Sequence, residues 1–305
     1  MSKVVIIGAG RVGMTSAYSI VLSNIVDELV LLDINETLLR GEELDLKPCA
    51  YFNRPVKIIC STDYSYAKDA DVVVITAGVA RKADESRLDL IRKNLGIMKN
   101  ICEKITKHAP NAIYVIVSNP VDILTYFFIK FSGLPKNQVF GSGTSIDTAR
   151  LSSIMADEYN VHPQYIDAFI LGEHGDNSFV AWSSAKIKGV PLKKVPHYNQ
   201  TRIDLFLDDV RKMGAEIIAK KAATYYSIGI VVSEIVSAVL SNTSRVMPVS
   251  VLLENYENVS NVCQSVPCVV NAYGVQQLPV SLDEKEKETF RKSADELKKI
   301  INEVA

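Results

Sequence analysis

One histidine of this chain stands between glycines, in Gly172-Glu173-His174-Gly175-Asp176, directly after the apolar run Ala168–Leu171. Imidazole titrates nearer neutrality than any other side chain, which suits a histidine to proton transfer. The glycines let a second backbone or a ligand come close. Two other segments gather polar groups that folding alone does not require. Asp147-Thr148-Ala149-Arg150 sets a carboxylate and a guanidinium three residues apart near a helix start, hence on one face. Arg81-Lys82-Ala83-Asp84-Glu85-Ser86-Arg87 is charged enough to form a mobile surface loop. Taken singly, each has an ordinary reading: a satisfied histidine, a local salt bridge, a solvated loop. What precedes them in the chain changes their weight.

Gly8-Ala9-Gly10-Arg11-Val12-Gly13 follows the apolar run Val4–Ile7 and opens a helix. In a GxGxxG at that place the glycines allow a tight turn, close backbone approach to a pyrophosphate and close helix–strand packing. The helix N-terminus adds free N–H groups and a positive dipole end. A second strand, Leu29–Leu32, ends in Asp33, twenty residues after Gly13. A carboxylate there accepts hydrogen bonds from a ribose diol and repels a 2′-phosphate. Ile34 and Asn35 supply no arginine for such a phosphate, so the pattern points to NAD(H) rather than NADP(H). Ala77-Gly78 after Val72–Thr76 suits close approach at the carboxyl end of a parallel sheet, where such sheets bind ligands.

The elements that must hold these groups follow from the pattern of apolar runs. The 305 residues make about two domains. Short continuous runs, Val4–Ile7, Leu29–Leu32, Val56–Ile59, Val72–Thr76 and Ile113–Val117, read as strands buried on both faces. Helical stretches fall between them, at about Met14–Ser23, Glu36–Leu46 and Asn94–His108. The alternation predicts an α/β fold: a Rossmann-type doubly wound parallel sheet over residues 1–143, followed by an α+β catalytic domain over 144–305 that shares an interface with it. In the second part the pattern predicts a helix over Ile146–Glu158, a β region over Ile166–Ile187 and one long helix over Asp204–Leu240. Strand pieces are expected near Val249–Leu253, Val266–Val270 and Gly274–Pro279. A last helix, opened by Ser281, carries Phe290, Leu297, Ile301 and Val304 on one face.

Composition removes several function classes. Hydrophobic residues make up 48% and charged residues 23%, and 34 basic against 35 acidic side chains leave no field to hold a polyanion, so no nucleic-acid partner is expected. Five scattered cysteines without a CxxC pair, and four histidines far apart, give no metal set and fit a reducing compartment. The N-terminus has no signal-peptide pattern and no run reaches the roughly 20 apolar residues of a membrane span. The expected location is cytoplasmic, with no membrane partner.

At this point the sequence resembles the NAD-dependent L-lactate/malate dehydrogenases, over the whole chain. The most specific markers are Ser118-Asn119-Pro120-Val121-Asp122, Asp147-Thr148-Ala149-Arg150 and Gly172-Glu173-His174-Gly175-Asp176. The resemblance implies that His174 exchanges the proton on the substrate's C2 oxygen and that Asp147 holds the other ring nitrogen. It implies further that Arg150 grips the C1 carboxylate through two prongs, a contact lysine cannot copy. By the same resemblance Arg87 would polarise the C2 carbonyl as hydride arrives, and Asn119 would bridge substrate and cofactor. The resemblance puts Val12, Tyr64, Gly78 and Val79 along the cofactor with Gly8, Gly10, Gly13 and Asp33. The resemblance also implies that closure of a loop around Val79–Leu90 excludes water.

Within that family the signals for the substrate's C3 group are mixed. Arg81 stands where lactate enzymes usually have Gln and malate enzymes an Arg for the second carboxylate of oxaloacetate. Glu85, Leu88, Thr224 and Trp182-Ser183 resemble the lactate branch, and Glu85 or Asp84 can neutralise Arg81 within the loop. The resemblance favours an L-lactate dehydrogenase-like enzyme of glycolysis acting on pyruvate or a related 2-oxo acid, with malate dehydrogenase the alternative. It implies a homotetramer or homodimer. Many bacterial lactate enzymes bind fructose 1,6-bisphosphate through an Arg and a His; Ser152 and Asp167 stand in those places here, so no activation by that ligand is expected. The metal-dependent glycosidases that share this dinucleotide domain need Cys/His ligands that the sequence lacks, and a non-enzymatic NAD sensor does not call for Arg87, Asp147, Arg150 and His174 together.

Overall fold

A computed structural model of the chain describes residues 1–80 and 85–305. The first part runs β1 (Lys3–Ile7), α1 (Arg11–Leu22), β2 (Glu28–Leu32), α2 (Glu36–Leu46), β3 (Lys57–Ser61), β4 (Val72–Ile75), α3 (Arg87–Ile105), β5 (Ile113–Ile116), α4 (Val121–Ser132) and β6 (Val139–Gly141). These strands pair parallel in the order β3-β2-β1-β4-β5-β6. Every residue of β4 and β5 is buried, as their unbroken apolar runs predict. The mixed sheet with its helices is the α/β fold expected, and its reversal between β1 and β4 makes a switch point with a crevice at the carboxyl ends of those strands.

The remainder comprises α5 (Ser145–Tyr159), β7 (Ile166–Asp167), β8 (Ile170–Gly172), β9 (Ser178–Val180), β10 (Lys186–Ile187), β11 (Val190–Pro191), α6 (Gln200–Lys221), α7 (Tyr226–Leu240), β12 (Arg245–Leu252), β13 (Cys263–Asn271), β14 (Gly274–Gln277) and α8 (Glu284–Val304). The first sheet does not stop at β6. Ser250 of β12 pairs with Gly141, β13 follows antiparallel, and β8 and β9 complete the far side. One apolar core accordingly runs from β1 to α8, and a second, smaller one packs α5 and α6 around β7 and β8.

Three expectations are corrected. The single long helix over Asp204–Leu240 is two helices, α6 and α7, bent by 116°. The chain turns at Ala222, whose φ of +67° caps α6 in the left-handed region; alanine there gives no warning, since glycine or asparagine normally marks such a site. The C-terminal helix is capped by Asp283 rather than Ser281. Asp283 accepts from the N–H of Glu286, which reaches back to the N–H of Asp283, a complete capping box. The strand pieces near Val249 and Val266 are an eight-residue β12 and a nine-residue β13. Pro248 and Pro267 share one rung, so the two residues that cannot donate face each other and the ladder continues past them. Among the described residues no single helix is long and apolar enough to cross a membrane.

Candidate active site

The glycine turn between β1 and α1 is built as its sequence requires. Gly8 has a φ of +107°, and a methyl on it would lie 2.7 Å from the Ala77 nitrogen. A methyl on Gly13 would lie 1.9 Å from the Gly8 carbonyl oxygen, whereas one on Gly10 would meet nothing within 4 Å. The outer two glycines therefore let the turn close on α1 and β4, and the middle one leaves open space where a ligand's phosphates can approach the helix N-terminus. Thr76 ties the turn to β4 by donating to the Gly8 carbonyl at 2.9 Å. Asp33, at the end of β2, accepts from the Ala9 N–H at 2.7 Å and the Asn35 N–H at 3.0 Å. Gly8, Gly10, Asp33 and Tyr64 line a cleft of about 740 Å³, a size that suits an adenosine and its phosphates.

A second cavity of about 400 Å³ adjoins it; Thr76, Gly78 and Val79 line both. Val12, Asn119, Arg150, His174 and Thr224 line this second space. They arrive from five places in the chain: the start of α1, the loop before α4, the second turn of α5, the loop after β8 and the break between α6 and α7. Asp147 lies behind them. Its Oδ2 is 2.6 Å from His174 Nδ1, and its Oδ1 accepts from Arg150 Nη1 at 3.2 Å. One carboxylate thus orients both the imidazole and the guanidinium. It sets the imidazole proton on Nδ1, which makes Nε2 the ring nitrogen available to the cavity.

The charges around His174 fix its proton affinity. Burial lowers the imidazole pKa, but the Asp147 charge and hydrogen bond outweigh it, Asp122 adds to them and Arg150 opposes, so the net shift is upward. Asp122, 2% exposed at the start of α4, accepts the His174 backbone N–H at 2.8 Å and the Ser250 hydroxyl at 2.5 Å. Its own pKa is raised to about 6, burial outweighing those two hydrogen bonds.

Arg87 is the first residue of α3, and its Nη2 donates to Glu173 Oε1 at 2.6 Å. It is not among the residues lining the catalytic cavity. Glu85 pairs with Lys93 at 2.5 Å. Arg81 and Asp84, on which the C3 assignment and its neutralisation depend, lie outside the described residues.

Both halves of the chain match models of one family. Residues 2–141 match the lactate/malate dehydrogenase NAD binding domain, and residues 144–305 match the lactate/malate dehydrogenase alpha/beta C-terminal domain. The chain belongs to the lactate/malate dehydrogenase family. It is 39% identical to an L-lactate dehydrogenase of Clostridium botulinum (strain Loch Maree / Type A3), over 99% of this chain and 96% of that one. It is 41% identical to one of Lacticaseibacillus casei, over 99% and 94%. The crystal structure of a minor L-lactate dehydrogenase from Enterococcus mundtii in its ligands-bound form superposes with a TM-score of 0.96, at 36% identity, covering 100% of this chain and 98% of that one.

As a lactate/malate dehydrogenase the chain is an oxidoreductase with NAD as its cofactor, and the cradle at Gly10 and the carboxylate of Asp33 fit that dinucleotide. The motifs do not reveal every residue that shapes the dehydrogenase site. Asn94, 3% exposed, accepts the Val79 N–H at 2.9 Å and donates to the Asn119 carbonyl at 2.8 Å, binding together two loops that line the cavity. Its signal was an amide on the apolar stripe Ile91, Leu95, Met98 of α3, all buried. Asp122 sat unassigned within the Asn119-Pro120-Val121-Asp122 marker. Gly214 of α6 and Ile218 also line the cavity, and only the fold brings them there.

Proposed function

We propose that this family member is an L-lactate dehydrogenase-like enzyme, reducing pyruvate or a related 2-oxo acid to the L-2-hydroxy acid and running in reverse. The observation that carries the reading is Asp147 holding His174 and Arg150 together at a cavity continuous with the dinucleotide cleft. The lactate dehydrogenase names of the relatives support it. Bound NADH supplies hydride to the substrate's C2. Arg150 holds the C1 carboxylate, and His174 donates its Nε2 proton to the C2 oxygen as charge develops there. Asp147 keeps the proton on Nδ1 and stabilises the imidazolium before transfer. Asn119 orients the substrate against the cofactor. Arg87, held by Glu173 here, is the cation assigned to polarising the C2 carbonyl. Thr224 bounds the C3 side, and Arg81 is the residue assigned to the C3 group itself.

In this reading residues 1–143 form the cofactor-binding unit and 144–305 the catalytic one, in a cytoplasmic homotetramer or homodimer serving glycolysis. The alternative, oxaloacetate and malate, rests on Arg81 as a residue type. The reading is tested by following NADH oxidation with pyruvate and identifying the product. L-lactate is expected; absence of turnover, or a D-product, contradicts it.

The pH profile has a definite sign. Reduction needs His174 protonated, and its pKa is raised. The kcat/KM for pyruvate should be level on the acid side of that raised pKa and fall as pH rises through it, while lactate oxidation, which needs neutral His174, rises over the same interval. Regulation is also predicted. Asp167, exposed on β7, and Ser152 offer no cation to a sugar bisphosphate. Pyruvate saturation curves with and without fructose 1,6-bisphosphate should superpose; a change from sigmoidal to hyperbolic on its addition contradicts this.

A further inference from the structure

Glu173 stands directly before His174, and its carboxylate is buried in a built seat, with the side chain 4% exposed. Its backbone N–H donates to Ser293 Oγ of α8 at 2.9 Å. The carboxylate folds back over Gly175, where a methyl would lie 3.2 Å from Oε1, so the glycine after His174 makes room for it. Two side chains donate to this carboxylate: Arg87 Nη2 to Oε1 at 2.6 Å and Asn177 Nδ2 to Oε2 at 2.5 Å. Of the two, Arg87 brings the charge. Its side chain is 48% exposed, so the cation has room to turn and the anion has none.

We propose that Glu173 is the positioning residue for Arg87, keeping one nitrogen of the guanidinium while another turns to the substrate's C2 oxygen. The inference rests on the lactate-type reading above, in which Arg87 polarises that carbonyl. Arg87 does not line the catalytic cavity, so it must turn in order to act. A cation that turned by leaving Glu173 would strand a buried carboxylate without its charge partner, a costly state. A guanidinium need not leave. Its planar fork carries five N–H donors on three nitrogens, and the contact with Glu173 takes one nitrogen. Glu173 is one peptide bond from His174 and pinned to α8, so a pivot there delivers the positive charge beside the proton donor. The two groups that meet the C2 oxygen are then held in register by one short segment, Glu173-His174.

The test is a double-mutant cycle on Glu173→Gln and Arg87→Gln, read as kcat/KM for pyruvate at saturating NADH. Glu173→Gln keeps the size and an acceptor oxygen but removes the charge. NADH affinity by fluorescence titration, expected unchanged, reports that the variant is folded. The single variant should lose about 10²-fold, the cost of misplacing a catalytic group by about 1 Å, with the loss in kcat. In the Arg87→Gln background the same change should cost less than about threefold, because no cation is left to place. Equal losses in both backgrounds would make Glu173 merely structural and overturn the proposal. A gain of activity in Glu173→Gln would overturn it too, by showing that the carboxylate holds Arg87 away from the substrate. Arg87→Lys tests the fork without touching Glu173. One ammonium cannot serve carboxylate and carbonyl together, so a loss of about 10²-fold is expected, and activity within about threefold of wild type would contradict the pivot. Wild-type enzyme that turns over no pyruvate would overturn the lactate-type reading itself, which keeps the two failures apart.

Discussion

His174→Asn should lower kcat/KM for pyruvate by about 10²–10⁴-fold, the contribution of a positioned acid–base group, or about 3–5 kcal/mol of transition-state stabilisation. The loss should fall on the chemical step. His174 touches Asp147 through Nδ1 and lines the 400 Å³ cavity, whereas the dinucleotide cleft rests on Gly8, Gly10, Asp33 and Tyr64 and not on His174. NADH affinity measured by fluorescence titration should therefore be retained. Asparagine keeps a donor near the Asp147 carboxylate but has no group that gives up a proton near neutral pH. The pH dependence that His174 imposes should vanish along with the activity. A variant within tenfold of wild type, with the same pH profile, would place the proton donor elsewhere.

Arg150→Lys should lower kcat/KM by about 10²–10³-fold, about 3–4 kcal/mol, within the range for loss of a paired charge at a buried contact. Here the change should appear chiefly in KM, because the carboxylate is gripped in the ground state and the transition state alike. The side chain is nearly buried, and its Nη1 is already committed to Asp147 at 3.2 Å. The rest of the fork is left for the substrate, and a lysine, with one point charge, cannot serve both carboxylates in that geometry. A second effect follows from the same contact. Arg150 lowers the His174 pKa, so a cation that moves away should let that pKa rise further and carry the alkaline limb of pyruvate reduction to higher pH. Steady-state kinetics across pH checks both; an unchanged KM would remove Arg150 from carboxylate binding.

The parts of this site that can be read in the sequence are those where residue type and local spacing already contain the geometry. The glycine turn and Asp33 at the next strand end lie within one βαβ unit. Asp147 and Arg150 share a helical face, and the glycines beside His174 mark it out. The parts that cannot be read are set by packing between distant segments. Asn94 looks like one polar residue of an amphipathic helix until α3 brings it under Val79 and Asn119. Asp122 meets the His174 N–H only because the fold brings the first turn of α4 to the loop after β8, and Ser250 reaches it from β12, 128 residues away in sequence. Gly214 belonged to a helix expected to run unbroken to Leu240. The bend at Ala222, which carries no glycine or proline signal, makes the wall that contains Gly214 and Thr224. Arg87 shows the opposite case: its loop was legible as charged, but its placement on Glu173 depends on a buried carboxylate 86 residues along the chain.

The cavity wall formed by Gly214, Ile218, Thr224 and Ile228 holds no charge, which favours a 2-oxo monocarboxylate over a 2-oxo dicarboxylate as substrate. The most direct test is NADH oxidation with pyruvate and with oxaloacetate at equal enzyme, read as the ratio of kcat/KM. Pyruvate should be preferred. Oxaloacetate preferred by about a hundredfold, equivalent to about 2.7 kcal/mol in the transition state, would contradict it and show that Arg81 alone outweighs the uncharged wall formed by Gly214, Ile218, Thr224 and Ile228.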